Sequence, residues 1–400
     1  MSKHPQTGQD THGSPSLMFF CNVGWFFNSH RLPLARAAKA RGYDVHVVCD
    51  IEDAIEAETI RAAGLKFHRI HLSRGGINPL TNLWTFASIL ALLFRWRPTL
   101  THNISTKPII FAGIAARIVR VRGVINAISG LGYLFIDPRR AGLGRRITRL
   151  LYRLSLKSAA ARVIFQNEDD RRYFIQAGIA RESQTVLIAG SGVELAAYQV
   201  TPEPDRGPIR IVLPARMLLD KGVREFAAAA LLLRQAGLPV ECLLAGRLDP
   251  ANPAALSASD MERLLAAGAV QWLGHVADVP TLLAGCHVVC LPSYREGLPK
   301  ALIEACAAGR PIVATAVPGC RDVVREGVNG LLVPARDAQA LYAALARLVT
   351  DASLRASMGV HGREIARREY ALDTVIERNL QLYAELTGPQ GAATVRQTGQ

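Results

Sequence analysis

Beyond a polar opening, the chain alternates short apolar runs with longer stretches in which apolar residues recur at helical spacing. "SLMFFCNV" is nearly unbroken in its apolarity, the pattern of a strand covered on both faces. After it come a turn at Gly24 and a helical stretch over about 29–41 that stops at Gly42. "YDVHVVCD", "LKFHRIHL", "TLTHNI", "GVINAIS" and "ARVIFQN" continue the series, and the helical segments between them place successive strands parallel. Over 187–208 Gly and Pro interrupt the pattern, which marks a linker. "IRIVLPARM", "VECLLAG", "AVQWLG", "HVVCLPS", "RPIVATA" and "GLLVP" then repeat the design. The expected fold class is α/β, two Rossmann-like doubly wound domains over 17–200 and 201–370 that face each other across a cleft. A closing helix is expected over 371–387, and the polar ends, 1–16 and 388–400, read as a disordered leader and tail.

Composition narrows this picture. Four hundred residues with 50% hydrophobic side chains suffice for two separate cores. Seven cysteines lie mostly in apolar runs with no Cys-x-x-Cys pair, which suits reduced thiols better than a disulfide framework or a zinc site. The polar start lacks the apolar core of a secretory signal. "LWTFASILALLF", over 83–94, falls short of the roughly 20 residues a membrane span needs and reads as a buried or surface-lying helix.

Charge is distributed unevenly. Residues 1–200 carry 26 Lys and Arg against 13 Asp and Glu, whereas residues 201–400 carry 21 against 20. The first half therefore suits an acidic partner, an anionic membrane surface or a polyanion. Arg146, Arg149, Arg153 and Lys157 recur at three- and four-residue spacing beside Ile147, Leu150, Leu151 and Leu154, the pattern of a helix lying on anionic lipid. The same pattern also describes a helix packed on its own domain with a solvated basic face. A nucleic-acid reading of the isoelectric point near 9.8 finds no interleaved aromatic platform.

Two stretches of the second half carry candidate chemistry. In "LPARMLLDKG", Arg216 follows a strand and Lys221 precedes Gly222 at the entry to a helix. Cations beside a helix N-terminus, where N–H groups and dipole already favour negative charge, suit a diphosphate; a solvated pair is the plain alternative. In "SYREGLPKALIEACAAG", Pro299 fits the first turn of a helix, Glu296 lies in the loop before it and Glu304 in its second turn. A glutamate is repelled by phosphate and pairs naturally with sugar or ribose hydroxyls, but acids near a helix start also occur for the dipole alone.

Followed by "GRPIVATAVPGCRDVVREGVNGLLVP", that stretch resembles the donor half of the family 4 (group 1) glycosyltransferases, retaining enzymes of the two-domain GT-B fold. In the first half "NVGWFFNSHRLPLARAAKARGYDVHVVC", "THNISTKPIIFAGIAAR", "NAISGLGYLF", "VIFQNEDDRRYF" and "GSGVE" resemble the branch that builds lipid-linked bacterial surface glycans. The resemblance implies that Glu304 holds the ribose hydroxyls, Glu296 contacts the donor sugar, and Arg216 and Lys221 neutralise the diphosphate leaving group. It places the N–H groups of Gly297 and Leu298 on the phosphate, Val276 beside His275 against the base, and Gly24 on the donor side. His102 matches the family's N-domain histidine beside the reaction centre and joins Glu296, Arg216 and Lys221 as the catalytic set. Asn28, Ser29, His30 and Lys107 are the implied acceptor contacts. "EGLP" departs from the common Glu-Gly-Phe-Gly, and Pro299 has no N–H to offer. The implied reaction moves a hexose from a nucleotide diphosphate, a UDP-sugar being the first expectation, to a polyprenyl-diphosphate-linked saccharide. It would run with retention, without metal or other cofactor, at the cytosolic face of the inner membrane. A soluble acceptor is the alternative, and a non-enzymatic nucleic-acid-binding protein the remote one.

Overall fold

Two parallel sheets organise the computed structural model, which describes residues 14–72, 78–130, 142–158, 160–250 and 252–388. Nearly all of the expected leader and tail lies outside the described residues. The first sheet holds β1 (Ser16–Val23), β2 (Asp44–Asp50), β3 (Lys66–Arg69), β4 (Leu100–Ile104), β5 (Gly123–Ile128), β6 (Ala161–Phe165) and β7 (Thr185–Leu187). Its spatial order is β3-β2-β1-β4-β5-β6-β7. The second holds β8 (Ile209–Pro214), β9 (Val240–Ala245), β10 (Gln271–Trp272), β11 (Val288–Leu291), β12 (Ile312–Thr315) and β13 (Gly330–Val333), in the order β10-β9-β8-β11-β12-β13. In each sheet the winding reverses beside the first strand, between β1 and β4 and between β8 and β11. Ligand crevices of open α/β sheets form at such switch points, outside the strands' carboxyl ends.

The unbroken apolarity of "SLMFFCNV" has a direct cause. Successive side chains of a strand point to opposite faces, so Leu17 and Phe19 enter one core and Met18 and Phe20 the other. Phe19 and Phe20 are fully buried, and cutting either to Ala costs about 3–5 kcal/mol. All seven cysteines are buried free thiols.

Three details differ from the sequence expectation. The stretch after β1 forms two helices, Gly24–His30 and Leu32–Ala40, because Arg31 leaves helical geometry and Pro33, lacking an N–H, starts a new first turn. Pro299 caps the helix Lys300–Ala307 from outside instead of occupying its first position. The final helix, Leu372–Thr387, belongs spatially to the first domain, where Val375, Leu380, Leu382 and Tyr383 enter the core.

Helices Pro79–Trp96, Thr106–Val119 and Leu143–Leu156 pack side by side on one face of the first sheet. The first buries Ile89 and Leu93 but leaves Leu80, Leu83, Trp84 and Phe94 exposed. No helix among the described residues is long and apolar enough to cross a membrane.

Candidate active site

A cleft of about 400 Å³ opens where the two domains meet, between the ends of β1 and β8. That volume suits a small-molecule site. Its second-domain wall begins with Arg216, two residues past β8, whose Nη1 lies 2.6 Å from Oδ2 of the buried Asp249. The Arg216 guanidinium also sits 5.6 Å from the ring centre of Trp25, a cation–π contact that crosses the cleft. Lys221 ends a single 3₁₀ turn, Leu219–Lys221, directly before the helix Val223–Gln235. Gly222 joins the two in left-handed geometry, and any side chain there would meet the Pro292 carbonyl oxygen at 2.1 Å. Glycine thus lets Lys221 stand at a helix N-terminus.

Lys221 Nζ donates to Glu296 Oε1 at 2.5 Å, and the Ser293 hydroxyl donates to the same oxygen at 2.7 Å. Each cation of this wall is therefore already paired with a carboxylate.

Glu304 lies one layer deeper, in the helix Lys300–Ala307, and is not part of the cleft lining. Lys300 approaches it at 3.5 Å and the Tyr198 hydroxyl hydrogen-bonds it. Burial raises its carboxyl above the usual carboxylate range, against the pull of Lys300. Gly297 and Leu298 line the cleft, whereas Val276 packs half-buried against the second domain's core.

The first-domain wall is less charged. His30 lines the cleft with its ring stacked on Phe26 at 4.2 Å. Burial, with Lys300, Arg31 and Arg216 nearby, holds its imidazole well below the usual range, so it is neutral at pH 7. The Ser29 carbonyl accepts from Lys300 Nζ at 3.0 Å, and Asn28 donates to the Glu56 carbonyl at 3.0 Å; both tie the helix in place. Gly24 opens that helix between the cleft residues Val23 and Trp25.

Two expected residues stand elsewhere. His102 lies within β4, not beyond its end; it stacks on Phe19, bonds the Tyr383 hydroxyl at 2.6 Å and is 1% exposed. The cleft residue on this connection is Ser105, which follows β4 in the left-handed region, a strained geometry for a non-glycine residue. Lys107 donates to Asn82 at 3.2 Å, on the neighbouring helix, and does not line the cleft.

The basic helix Leu143–Leu156 also differs from expectation in part. Arg149, half-buried, and Arg153, still exposed, fold onto the neighbouring helix and donate to the carbonyls of Ala177 and Gly178, just past the helix Glu168–Gln176. There they satisfy orphan carbonyls and complement the helix dipole. Arg146 and Lys157 remain exposed beside Ile147, Leu150 and Leu154, while Leu151 packs partly inward.

Sequence reasoning passed over Trp25, Ser105 and Lys300. Trp25 stood in a run of aromatics indistinguishable from core, yet Arg216 and Arg247 both approach its ring.

With this geometry in hand, comparison with known proteins is decisive for class. Residues 16–167 match the glycosyl transferase 4-like model and residues 208–351 the glycosyl transferases group 1 model. The chain belongs to the group 1 glycosyltransferases and is an enzyme that transfers a glycosyl unit. It is 28% identical over 379 residues to the N,N'-diacetylbacillosaminyl-diphospho-undecaprenol alpha-1,3-N-acetylgalactosaminyltransferase of Campylobacter jejuni, covering 91% of this chain and 97% of that protein. It is 24% identical over 378 residues to the capsular polysaccharide biosynthesis glycosyltransferase CapM of Staphylococcus aureus, covering 89% and 94%. Its fold, the GT-B arrangement, is similar to that of Anabaena HepE solved in complex with UDP and glucose, with a TM-score of 0.75 at 19% identity, covering 93% and 100%.

Proposed function

We propose that the enzyme transfers a sugar from a UDP-sugar to a polyprenyl-diphosphate-linked saccharide, with retention, on the cytosolic face of the inner membrane. The observation that carries this reading is the placement of Lys221 at a helix N-terminus, paired with Glu296 and accompanied on the same wall by Arg216. These cations take the developing charge of the departing diphosphate. Glu296 receives the sugar hydroxyls, and Glu304 the ribose once Tyr198 and Lys300 yield. The acceptor enters along Trp25, His30 and Ser105. The similarity to enzymes named for undecaprenyl-diphosphate-linked and capsular glycans supports a lipid-linked acceptor.

Membrane contact is part of this reading. Ile147, Leu150 and Leu154 form an exposed apolar stripe beside Arg146 and Lys157, and Leu80, Leu83, Trp84 and Phe94 add a second on the same helical layer. Apolar side chains next to cations are what an interfacial helix presents to anionic lipid. The test is a panel of nucleotide sugars scored by thermal stabilisation, then by turnover with a short polyprenyl-diphosphate saccharide. UDP and one UDP-sugar are expected to raise the melting temperature, and transfer to give an axial or equatorial linkage matching the donor. Stabilisation by no uridine nucleotide, or an inverted product, would count against the reading.

A further inference from the structure

The segment "NEDD", residues 167–170, lies in the resembling stretch "VIFQNEDDRRYF", to which the resemblance assigned no role, and Asn167 caps the helix Glu168–Gln176. Its other contacts reach across the cleft. Asn167 Nδ2 donates to the Gly297 carbonyl at 2.6 Å while Asn167 Oδ1 accepts from the Asp170 amide at 2.8 Å. The Asp170 carboxylate, 1% exposed, is ion-paired with Arg295 and accepts from Asn167 at 3.2 Å. One residue away, Asp169 pairs with Arg321 of the second domain at 3.0 Å. Arg295 and Gly297 are the two neighbours of Glu296, so the first domain grips the donor turn on both sides of the carboxylate that faces the sugar.

The fit permits little else at the centre of the turn. A Cβ at Gly297 would lie 2.2 Å from the Ser129 carbonyl oxygen and 3.0 Å from Gln166 Oε1, so only glycine lets the domains close to this distance. Behind the turn, a Cβ at Gly319 would meet the Gly297 carbonyl oxygen at 2.7 Å, and the Glu296 amide donates to the Pro318 carbonyl at 3.3 Å. The turn is thus held from the first domain in front and from the 318–322 segment behind.

The geometry points to Asn167 and Asp170 as positioning residues for the transfer. They touch neither donor nor acceptor but fix the backbone of Arg295-Glu296-Gly297, so that Glu296 and the Gly297 and Leu298 amides meet the donor only when the two domains are engaged. This rests on the functional reading above. A group misplaced by about 1 Å loses on the order of a hundredfold in rate while ground-state binding survives, which separates such residues from binding ones.

The experiment uses the full chain with Asn167→Ala, Asp170→Asn, Arg295→Gln and the double variant Asp170→Asn/Arg295→Gln, together with Asp170→Glu as the conservative control. Turnover is expected to fall about 10- to 100-fold in each single removal, with UDP affinity by calorimetry within about threefold of wild type. The double variant is expected to be no slower than the poorer single, because the two side chains act as one unit, and Asp170→Glu to recover part of the rate. Hydrogen exchange is expected to quicken in residues 293–298 and 318–322 and, for Asn167→Ala, at the start of the helix that this residue caps. Turnover within twofold of wild type in both Asn167→Ala and Asp170→Asn overturns the proposal, as does exchange that quickens throughout the chain, which marks a merely structural role. A wild-type chain that neither binds UDP nor transfers sugar sinks the functional reading itself, a result distinct from active wild type with unaffected variants.

Discussion

The two domains share an architecture and divide the physical tasks. The second, nearly balanced in charge, concentrates its chemistry in cations held individually: Arg216 by Asp249, Lys221 by Glu296, each at 2.5–2.6 Å. The first carries almost all of the excess positive charge, yet its cleft wall is made of Trp25, neutral His30 and Ser105. Its cations lie mainly on outer helices, or, like Arg149 and Arg153, on the ends of neighbouring helices. Net charge therefore does not locate the site. Site charge depends on pairing and place, and a near-neutral domain carries it.

Removing a site cation has the largest expected effect. Lys221→Ala is expected to lower turnover by about 10²- to 10³-fold at saturating donor, because on the proposed reading its ammonium meets the charge that develops on the leaving group. A loss under tenfold in steady-state kinetics would show that the second domain's charges are not specialised in this way. Glu304→Ala comes next: UDP affinity by calorimetry is expected to weaken roughly 10- to 100-fold, the range for charged hydrogen bonds, with turnover at saturation less affected. Equal losses of affinity and turnover would move Glu304 from ribose binding to the reacting centre.

The first domain is tested at its surface. Ile147→Glu with Leu150→Glu is expected to reduce sedimentation with anionic vesicles by about tenfold while leaving transfer to a detergent-soluble acceptor unchanged. Unchanged sedimentation would separate the charge excess from membrane contact. The smallest effect concerns pH. His30 and His102 are both held well below their usual value by burial, so the unfolded chain binds more protons than the folded one below about pH 6.5. Stability present at pH 7.5 is thus lost as pH falls, by about 1.4 kcal/mol per unit and histidine. Asp170 and Glu304, raised by burial, oppose this only nearer the carboxylate range. The melting temperature is expected to fall by about 2–4 °C per pH unit below 6.5, and His102→Phe to flatten that slope.

Much of this was legible along the chain. The alternation of apolar runs and helical stretches set the α/β class, because strands buried on both faces leave no polar alternation to mistake for anything else. Arg216, Lys221 and the turn at Glu296 stood out because glycine and proline mark places where backbone meets ligand, and the spacing along one strand–loop–helix unit is local. Local spacing also exposed the amphipathic helix over 143–156, though not which of its arginines would bond the neighbouring helix end.

Everything that depended on two distant segments meeting was decided by the tertiary structure. The sequence does not show that the helix Leu372–Thr387 completes the first domain, that Tyr383 covers His102, or that the Asn167 and Asp170 side chains hold the turn around Glu296. Those contacts join residues 281, 130 and 125 positions apart. Hydrophobic period and turn chemistry act over a few residues. Which surface a buried histidine or a capping asparagine finally faces is fixed only when whole elements pack.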